Sequence, residues 1–223
     1  MRSSKPLIRK PLFNEVDLLQ RCNEITGINF AQLASLVQLP IPLTASKRKG
    51  WAGMAIELAL GTTAGNLALP DFHHLGIELK TIPLKESSKP AESTFVTSIS
   101  LLTINQECWK TSPCYQKLKR VLWVPVEGSK TIPFTQRRIG NPFLWSPTID
   151  QENILQQDWQ ELSTMIGTGK LEEIHAGLGE YLQVRPKAAN ARSLCYGFDS
   201  QGNKVPTLPR GFYLRSSFTA TLL

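Results

Sequence analysis

The chain has few cysteines and none of the spacings that make cysteine structural. Its four, Cys22, Cys108, Cys114 and Cys195, are scattered and form no C-x-x-C pair, which argues against a zinc site and against a disulfide framework. That usage fits a reducing compartment. No apolar run approaches the length of a membrane span, and Met1-Arg-Ser-Ser-Lys-Pro6 lacks the apolar core of a signal peptide. The expectation is a cytoplasmic, soluble protein. Gly61-Thr-Thr-Ala-Gly65 reads as a flexible connection without a Gly-Lys-Ser/Thr ending, so it is not a phosphate-binding P-loop. No internal repeat or low-complexity tract is present. Acidic side chains are the scarcer sign of charge, 18 against 25 Lys and Arg, which leaves a net charge of +7 and a pI near 9.3. Such an excess favours a polyanionic partner, nucleic acid before membrane, while leaving open a basic enzyme of small substrates. With 223 residues and 41% hydrophobic content, the chain can bury one substantial core, in one domain or one domain with two lobes.

The stretch richest in chemistry is Asp71-Phe-His-His-Leu-Gly-Ile-Glu-Leu-Lys80. Ile77 to Ile82 alternates apolar and polar and reads as a strand. Glu78 and Lys80 then share one face, with Ile77 and Leu79 on the other. Asp71, behind Pro70, is close enough in sequence to fold back beside Glu78 and Lys80. Two carboxylates and an ammonium at a strand end suit Mg²⁺ and a lysine that orients water and stabilises transition-state charge. The plainer reading is a solvated strand face carrying a charge pair two residues apart. The histidines His73 and His74 are adjacent and poorly placed to ligate one metal, so they read as surface or helix-end residues.

Around that stretch the pattern is mixed. Residues 14–26 read as a helix capped by Asn14 and stopped by Gly27. Asn29 and Gln32 have capping-box spacing for a second helix, broken by Pro40 and Pro42. The triplet Lys47-Arg48-Lys49 reads as a solvated linker or a phosphate clamp. A third helix, roughly 51–60, is apolar nearly all round and is expected to be largely buried. Its only charge, Glu57, needs a cation, a metal or water, and is a candidate third carboxylate beside Asp71 and Glu78. Lys85–Glu92 reads as a hairpin or loop, Thr94–Ile99 as a strand, and Val121–Val126 as a buried central strand with Pro125 in it. Residues 150–173 hold six acidic side chains against Lys170 and read as an outer face or a protein-docking one. Residues 185–215 reverse the sign. Tyr181, Gln183 and Arg185 are expected on one strand face, and Leu208–Leu214 as a tight loop entering a strand. Basic and aromatic residues on paired strands can read a DNA groove, or can merely protect a sheet edge.

Taken together, these strings resemble the MutH family of mismatch-repair endonucleases over nearly the whole chain. They are Lys49-Gly-Trp51 with Glu57, Pro70-Asp-Phe72, Leu75-Gly-Ile-Glu-Leu-Lys-Thr-Ile-Pro83, Lys117-Leu-Lys-Arg-Val-Leu-Trp123, Ile139-Gly140 with Leu144-Trp-Ser-Pro147, Gly179-Glu-Tyr-Leu-Gln183, Arg185-Pro-Lys-Ala-Ala-Asn190 and Leu208-Pro-Arg-Gly-Phe-Tyr213. The resemblance implies an α/β, type II restriction-endonuclease-like fold, a mixed sheet flanked by helices, as one domain with two lobes around a DNA cleft. It implies Mg²⁺-dependent nicking of the unmethylated strand at hemimethylated GATC, with Mn²⁺ or Ca²⁺ able to substitute for binding. Activation by the MutL protein downstream of MutS is also implied, and a monomer is expected. Asp71, Glu78, Lys80 and Glu57 match the family's active site, with Asp71, Glu78, the Leu79 carbonyl and Glu57 as metal ligands. Lys49, Lys117, Arg185 and Tyr213 match DNA-contacting positions. Two rivals differ in kind: a non-catalytic DNA-binding module, and a restriction enzyme that cuts both strands.

Overall fold

A computed structural model describes residues 12–62, 69–188 and 192–223. The N-terminal hexapeptide, most of the Gly61–Gly65 connection and the Ala189-Asn190 end of one motif lie outside the described residues. In chain order the elements begin with α1 (Glu15–Ile25), α2 (Phe30–Val37), α3 (Ala45–Arg48), α4 (Trp51–Leu60), β1 (Glu78–Leu84) and β2 (Thr94–Ser98). They continue with α5 (Pro113–Leu118), β3 (Val121–Glu127), β4 (Phe143–Trp145) and α6 (Ile149–Gly167). The last are β5 (Leu182–Pro186), β6 (Cys195–Phe198), β7 (Lys204–Thr207), β8 (Arg210–Leu214) and α7 (Ser216–Ala220). The chain divides into two compact units. One holds the described residues up to Ala91 together with Arg120–Trp145, the other Glu92–Lys119 and Ser146–Leu223.

In the first unit, local signals set the helices. The Asn14 side chain accepts the Asp17 N–H at 2.9 Å, and Asn29 with Gln32 forms the expected reciprocal capping box. Leu18, Cys22 and Ile25 of α1 and Phe30 and Leu33 of α2 are buried with Trp51, Ile56, Ile77, Leu79 and Leu122 in one core. The sheet has the order β1-β3-β4, with β1 and β3 parallel and β4 antiparallel to β3. Pro125 sits beyond the β4 ladder, which covers only Val121–Trp123, and its carbonyl accepts the Gly140 N–H at 2.8 Å. Its missing donor therefore leaves no strand unpaired there. Helix α4 buries Trp51, Ala55, Ile56, Ala59 and Leu60, as its apolar composition predicts, but not all round. Met54 and Leu58 stand on one exposed stripe, at 48% and 43% exposure, so an apolar composition all round did not bring burial all round.

In the second unit, β2, β8 and β5 form an antiparallel sheet in that order, and β6 pairs with β7. Residues 85–91 are loop, and β2 forms no hairpin with β1. Its partner is β8, with a bulge between Phe95 and Thr97. Helix α6 opens on a Thr148–Gln151 capping box and buries Leu155, Trp159, Leu162 and Ile166. The outer-face reading of residues 150–173 needs one correction, because Asp158 points inward and is 5% exposed. Strand β5 begins at Leu182, so the alternation covers Gln183 and Arg185 but not Tyr181. That ring stacks on Phe218 at 4.1 Å between centroids.

Candidate active site

The acidic stretch folds back on itself because a tight turn closes between Phe72 and Ile77. The Phe72 N–H donates to the Ile77 carbonyl at 2.8 Å, and the Ile77 N–H returns to the Phe72 carbonyl at 3.3 Å. Gly76 supplies the left-handed residue, φ 68°, which side chains disfavour. Phe72 and Ile77 are buried and anchor the turn in the core. Asp71 is thereby laid against the start of β1, where its Oδ2 accepts the Leu79 N–H at 2.8 Å. Its own carbonyl accepts the Thr62 hydroxyl at 2.5 Å.

Glu78 opens β1 with its N–H on the Arg120 carbonyl at 3.0 Å and lies opposite Val121 in the parallel ladder. Its Oε1 accepts from Lys80 Nζ at 2.6 Å, and the two side chains are only 3% and 10% exposed. This excludes the solvated-face reading. Asp71, at 7% exposure, Glu78 and Lys80 leave one negative charge in excess among themselves. Oxygen donors with a negative excess fit a hard divalent cation. Asp71 and Glu78 would hold it, with the Leu79 carbonyl adjacent in sequence to both the Glu78 carboxylate and the N–H that fixes Asp71.

Glu57 lies half-buried in the last turn of α4, where its carbonyl accepts the Gly61 and Thr62 N–H groups. Among the described residues no three His, Cys, Asp or Glu side chains gather into a ready-made cation cage. What the structure shows is the Glu78–Lys80 pair, with the Asp71 carboxylate fixed on the Leu79 N–H that lies between them in the chain. His73 and His74 are exposed, and His74 Nε2 lies 2.9 Å from the Leu12 carbonyl, in keeping with a surface role.

Much of the basic excess is used inside the fold. Arg48 donates from Nε to the Pro42 carbonyl at 2.8 Å and from Nη2 to the Leu43 carbonyl at 3.0 Å, with its guanidinium 5.3 Å from the Phe134 ring centre. Of the Lys47–Lys49 triplet only Lys47 and Lys49 are exposed. Arg137 caps the Ser129 carbonyl, and Arg138 the Gly27 carbonyl, each at 2.9 Å. Lys110 is ion-paired with Glu152 and lies over the Tyr115 ring. Lys117, in the last turn of α5, is half-buried.

Arg185 and Tyr213 meet on the second unit's sheet. Strand β8 is central, so Tyr213 lies between Phe95 on β2 and Gln183 on β5. The Arg185 guanidinium stands 5.9 Å over the Tyr213 ring, and Phe95 meets that ring edge-on at 5.3 Å. Burial pushes the Tyr213 phenol above its usual range. Arg185 pulls it back, and Glu92 adds to the rise. Lys187 Nζ lies 3.3 Å from the Phe95 ring centre. Gly211 makes room for this cluster, because a Cβ there would stand 2.9 Å from the Phe95 ring. Ser93, whose Oγ accepts from Gln183 Nε2 at 2.8 Å and Arg185 Nη1 at 3.4 Å, also belongs to the cluster. Sequence reasoning missed Phe95 and Ser93. Their signal is the β2–β8 register, which no local pattern encodes.

Comparison with known proteins gives one consistent outcome. A family model described as DNA mismatch repair enzyme MutH matches residues 60–158, which include the Asp71 turn and all of β1. A DNA mismatch repair protein MutH of Pasteurella multocida is 49% identical over 209 residues, 94% of each chain. One from Histophilus somni strain 2336 is 49% identical over 213 residues, 96% of this chain and 95% of the relative. The Escherichia coli K12 protein of the same name is 45% identical over 223 residues, 100% of this chain and 97% of its own length.

Proposed function

Because the chain belongs to the MutH family of DNA mismatch repair enzymes, we propose that it nicks the unmethylated strand of hemimethylated GATC sites in a Mg²⁺-dependent reaction. Its fold is restriction-endonuclease-like and its enzyme class endodeoxyribonuclease. The observation that carries the finer reading is the buried Asp71–Glu78–Lys80 set, with the Asp71 carboxylate fixed on the Leu79 N–H. Asp71 and Glu78 would hold the cation together with the Leu79 carbonyl, and Glu57 would help hold a second ion or orient Lys80. When bound, that ion neutralises charge on the scissile phosphate and lowers the pKa of water. Lys80, held on Glu78, orients the attacking water for in-line displacement and stabilises charge that develops on phosphorus. No covalent intermediate is required.

Recognition falls to the basic surface. Lys49 and Lys117 contact phosphates, which position the duplex without reading it. Arg185 and Tyr213 read base edges. The N6 amino group of adenine is a donor in the major groove, which a phenol oxygen can accept and which a methyl group crowds. We propose Tyr213 as the methyl sensor. Activation by MutL downstream of MutS, a monomeric state, a cytoplasmic location and action of the two units as lobes of one domain complete the reading. No helix among the described residues is long and apolar enough to cross a membrane.

The test is a nicking assay on plasmids with unmethylated, hemimethylated and fully methylated GATC, with and without Mg²⁺. The expected result is Mg²⁺-dependent nicking confined to unmethylated strands. Binding without cleavage would identify a DNA-binding module, and double-strand cleavage by a stable dimer a restriction enzyme. Tyr213→Ser is expected to nick unmethylated GATC still but to cut the methylated strand as well. An unchanged strand preference would remove Tyr213 as sensor and leave Arg185.

A further inference from the structure

The segment 174–181 forms no helix or strand, only a turn in which the Leu178 N–H donates to the His175 carbonyl at 3.2 Å. It is held by two opposite charges from two different elements. From α6, Asp158 Oδ1 accepts the Glu180 N–H at 2.8 Å, and Oδ2 accepts those of Tyr181 at 2.6 Å and Leu182 at 2.8 Å. From the residue after β8, Arg215 donates Nε to the Gly179 carbonyl at 2.9 Å and Nη2 to the carbonyls of Ala176 and Leu178, each at 2.6 Å. The Arg215 N–H closes the set on the Tyr181 carbonyl at 2.8 Å. The carboxylate thus collects backbone donors and the guanidinium collects backbone acceptors, both as charge-assisted bonds. Gly179, at φ 75°, sits between them. A Cβ there would stand 2.1 Å from the Leu182 carbonyl oxygen and 3.4 Å from Asp158 Cγ.

The place of this clamp gives it a purpose beyond closing a loop. Leu182 is the first residue of β5 and pairs with Leu214, the last of β8. Asp158 grips one end of that ladder and Arg215 the other strand at the same point. Among the described residues β5 is an edge strand, bonded in its sheet to β8. A slip by one residue would carry its side chains to the opposite face, taking Arg185 off Tyr213 and Gln183 off Ser93. We propose that Asp158 and Arg215 are positioning residues for DNA readout, fixing the β5–β8 register that holds the Arg185 guanidinium over the Tyr213 ring. This rests on the reading of Arg185 and Tyr213 as base-contacting groups.

The experiment compares Asp158→Asn, Arg215→Lys, Arg185→Ala and Tyr213→Ser with the full-length wild-type enzyme. It measures KM, kcat and the ratio of unmethylated- to methylated-strand nicking on GATC duplexes, with melting as a folding control. Asn keeps the size of Asp158 but turns an amide group toward backbone N–H groups, and Lys cannot span three carbonyls as the Arg fork does. Each clamp variant is expected to raise KM and to lower the strand ratio by about tenfold, the scale of one lost base contact. The expected kcat stays within about threefold of wild type, because the group lost acts in binding rather than only in the transition state. A merely structural role would lower the melting temperature and leave the ratio alone. Folded clamp variants with wild-type KM and ratio overturn the proposal, as does failure of both to fold, which would make the clamp a stability element. If Arg185→Ala and Tyr213→Ser also keep the wild-type ratio, the base-contact reading fails first. If they change it and the clamp variants do not, only the clamp inference falls.

Discussion

Lys80 separates chemistry from binding more cleanly than any other side chain. Its ammonium is paired with Glu78 in a nearly buried setting, and on the proposed function removing it takes away a group used mainly in the transition state. Lys80→Ala is expected to lower nicking by about two orders of magnitude or more while GATC duplex affinity in a gel-shift titration stays near wild type. A near wild-type rate would refute the site assignment. The cysteines offer a second check on burial. Cys22 is buried and its thiol is pushed up to about 12 by desolvation, whereas Cys108 is exposed. At neutral pH a thiol reagent is expected to modify Cys108 rapidly and Cys22 only after denaturation, as read by peptide mass spectrometry. The shared face of Glu78 and Lys80 was legible in the sequence, because strand alternation fixes it. Their burial was not, since it depends on the core that closes around β1. The inward turn of Asp158 was equally hidden among five other acidic neighbours, because its partners are backbone donors of a distant loop.

At the level of elements, one ion pair ties α1 to the start of strand β1. Arg120 accepts the Glu78 N–H on its carbonyl, and its guanidinium grips Glu15 of α1 at 2.8 and 2.5 Å. The bond from Arg120 holds the Glu15 carboxyl below its ordinary value of 4.5. A depressed folded pKa stabilises the fold at pH above the unfolded value, and that contribution is lost as pH falls through the folded one. Glu15 is 43% exposed, so solvent screening limits the gain to about 0.5 kcal/mol. Glu15→Gln is expected to cost that much in urea unfolding near neutral pH, and the gap to wild type should vanish once the medium is acidic enough to protonate Glu15. A gap that persists unchanged in acid would assign the effect to packing. Helices were the legible part of the fold because Asn14, the Asn29–Gln32 box and the Thr148–Gln151 box act within one turn. Strand partners were not, because β2 finds β8 across most of the second unit. Helix α4 shows the limit of composition, since hydrophobicity alone does not reveal that Met54 and Leu58 face outward.

For the whole molecule the relevant quantity is charge. The net +7 acts on a duplex as a field, but direct contacts are fewer, because the guanidinium donors of Arg48, Arg120, Arg137, Arg138 and Arg215 are engaged on carbonyls and carboxylates within the fold. If Lys117 neutralises one phosphate, Lys117→Ala is expected to weaken binding to all sequences alike and to flatten the log–log salt dependence by about one unit. An unchanged slope would remove it from the phosphate contacts.

The division into two units has a consequence for how the protein is made. The chain passes from one to the other at Ala91, returns at Arg120 and leaves again at Trp145. On the ribosome, the stretch carrying β2 therefore emerges before the first unit is complete, and its partner β8 comes only at Arg210–Leu214. At usual translation speeds, on the order of 5–20 residues per second, β2 waits about ten seconds as an unpaired, aggregation-prone edge. The nascent chain can finish the unit that bears the carboxylates while the sheet that carries Tyr213 is still being synthesised. Chaperone capture during that interval would act on the sheet of β2, β8 and β5 alone, after the first unit's residues have already emerged.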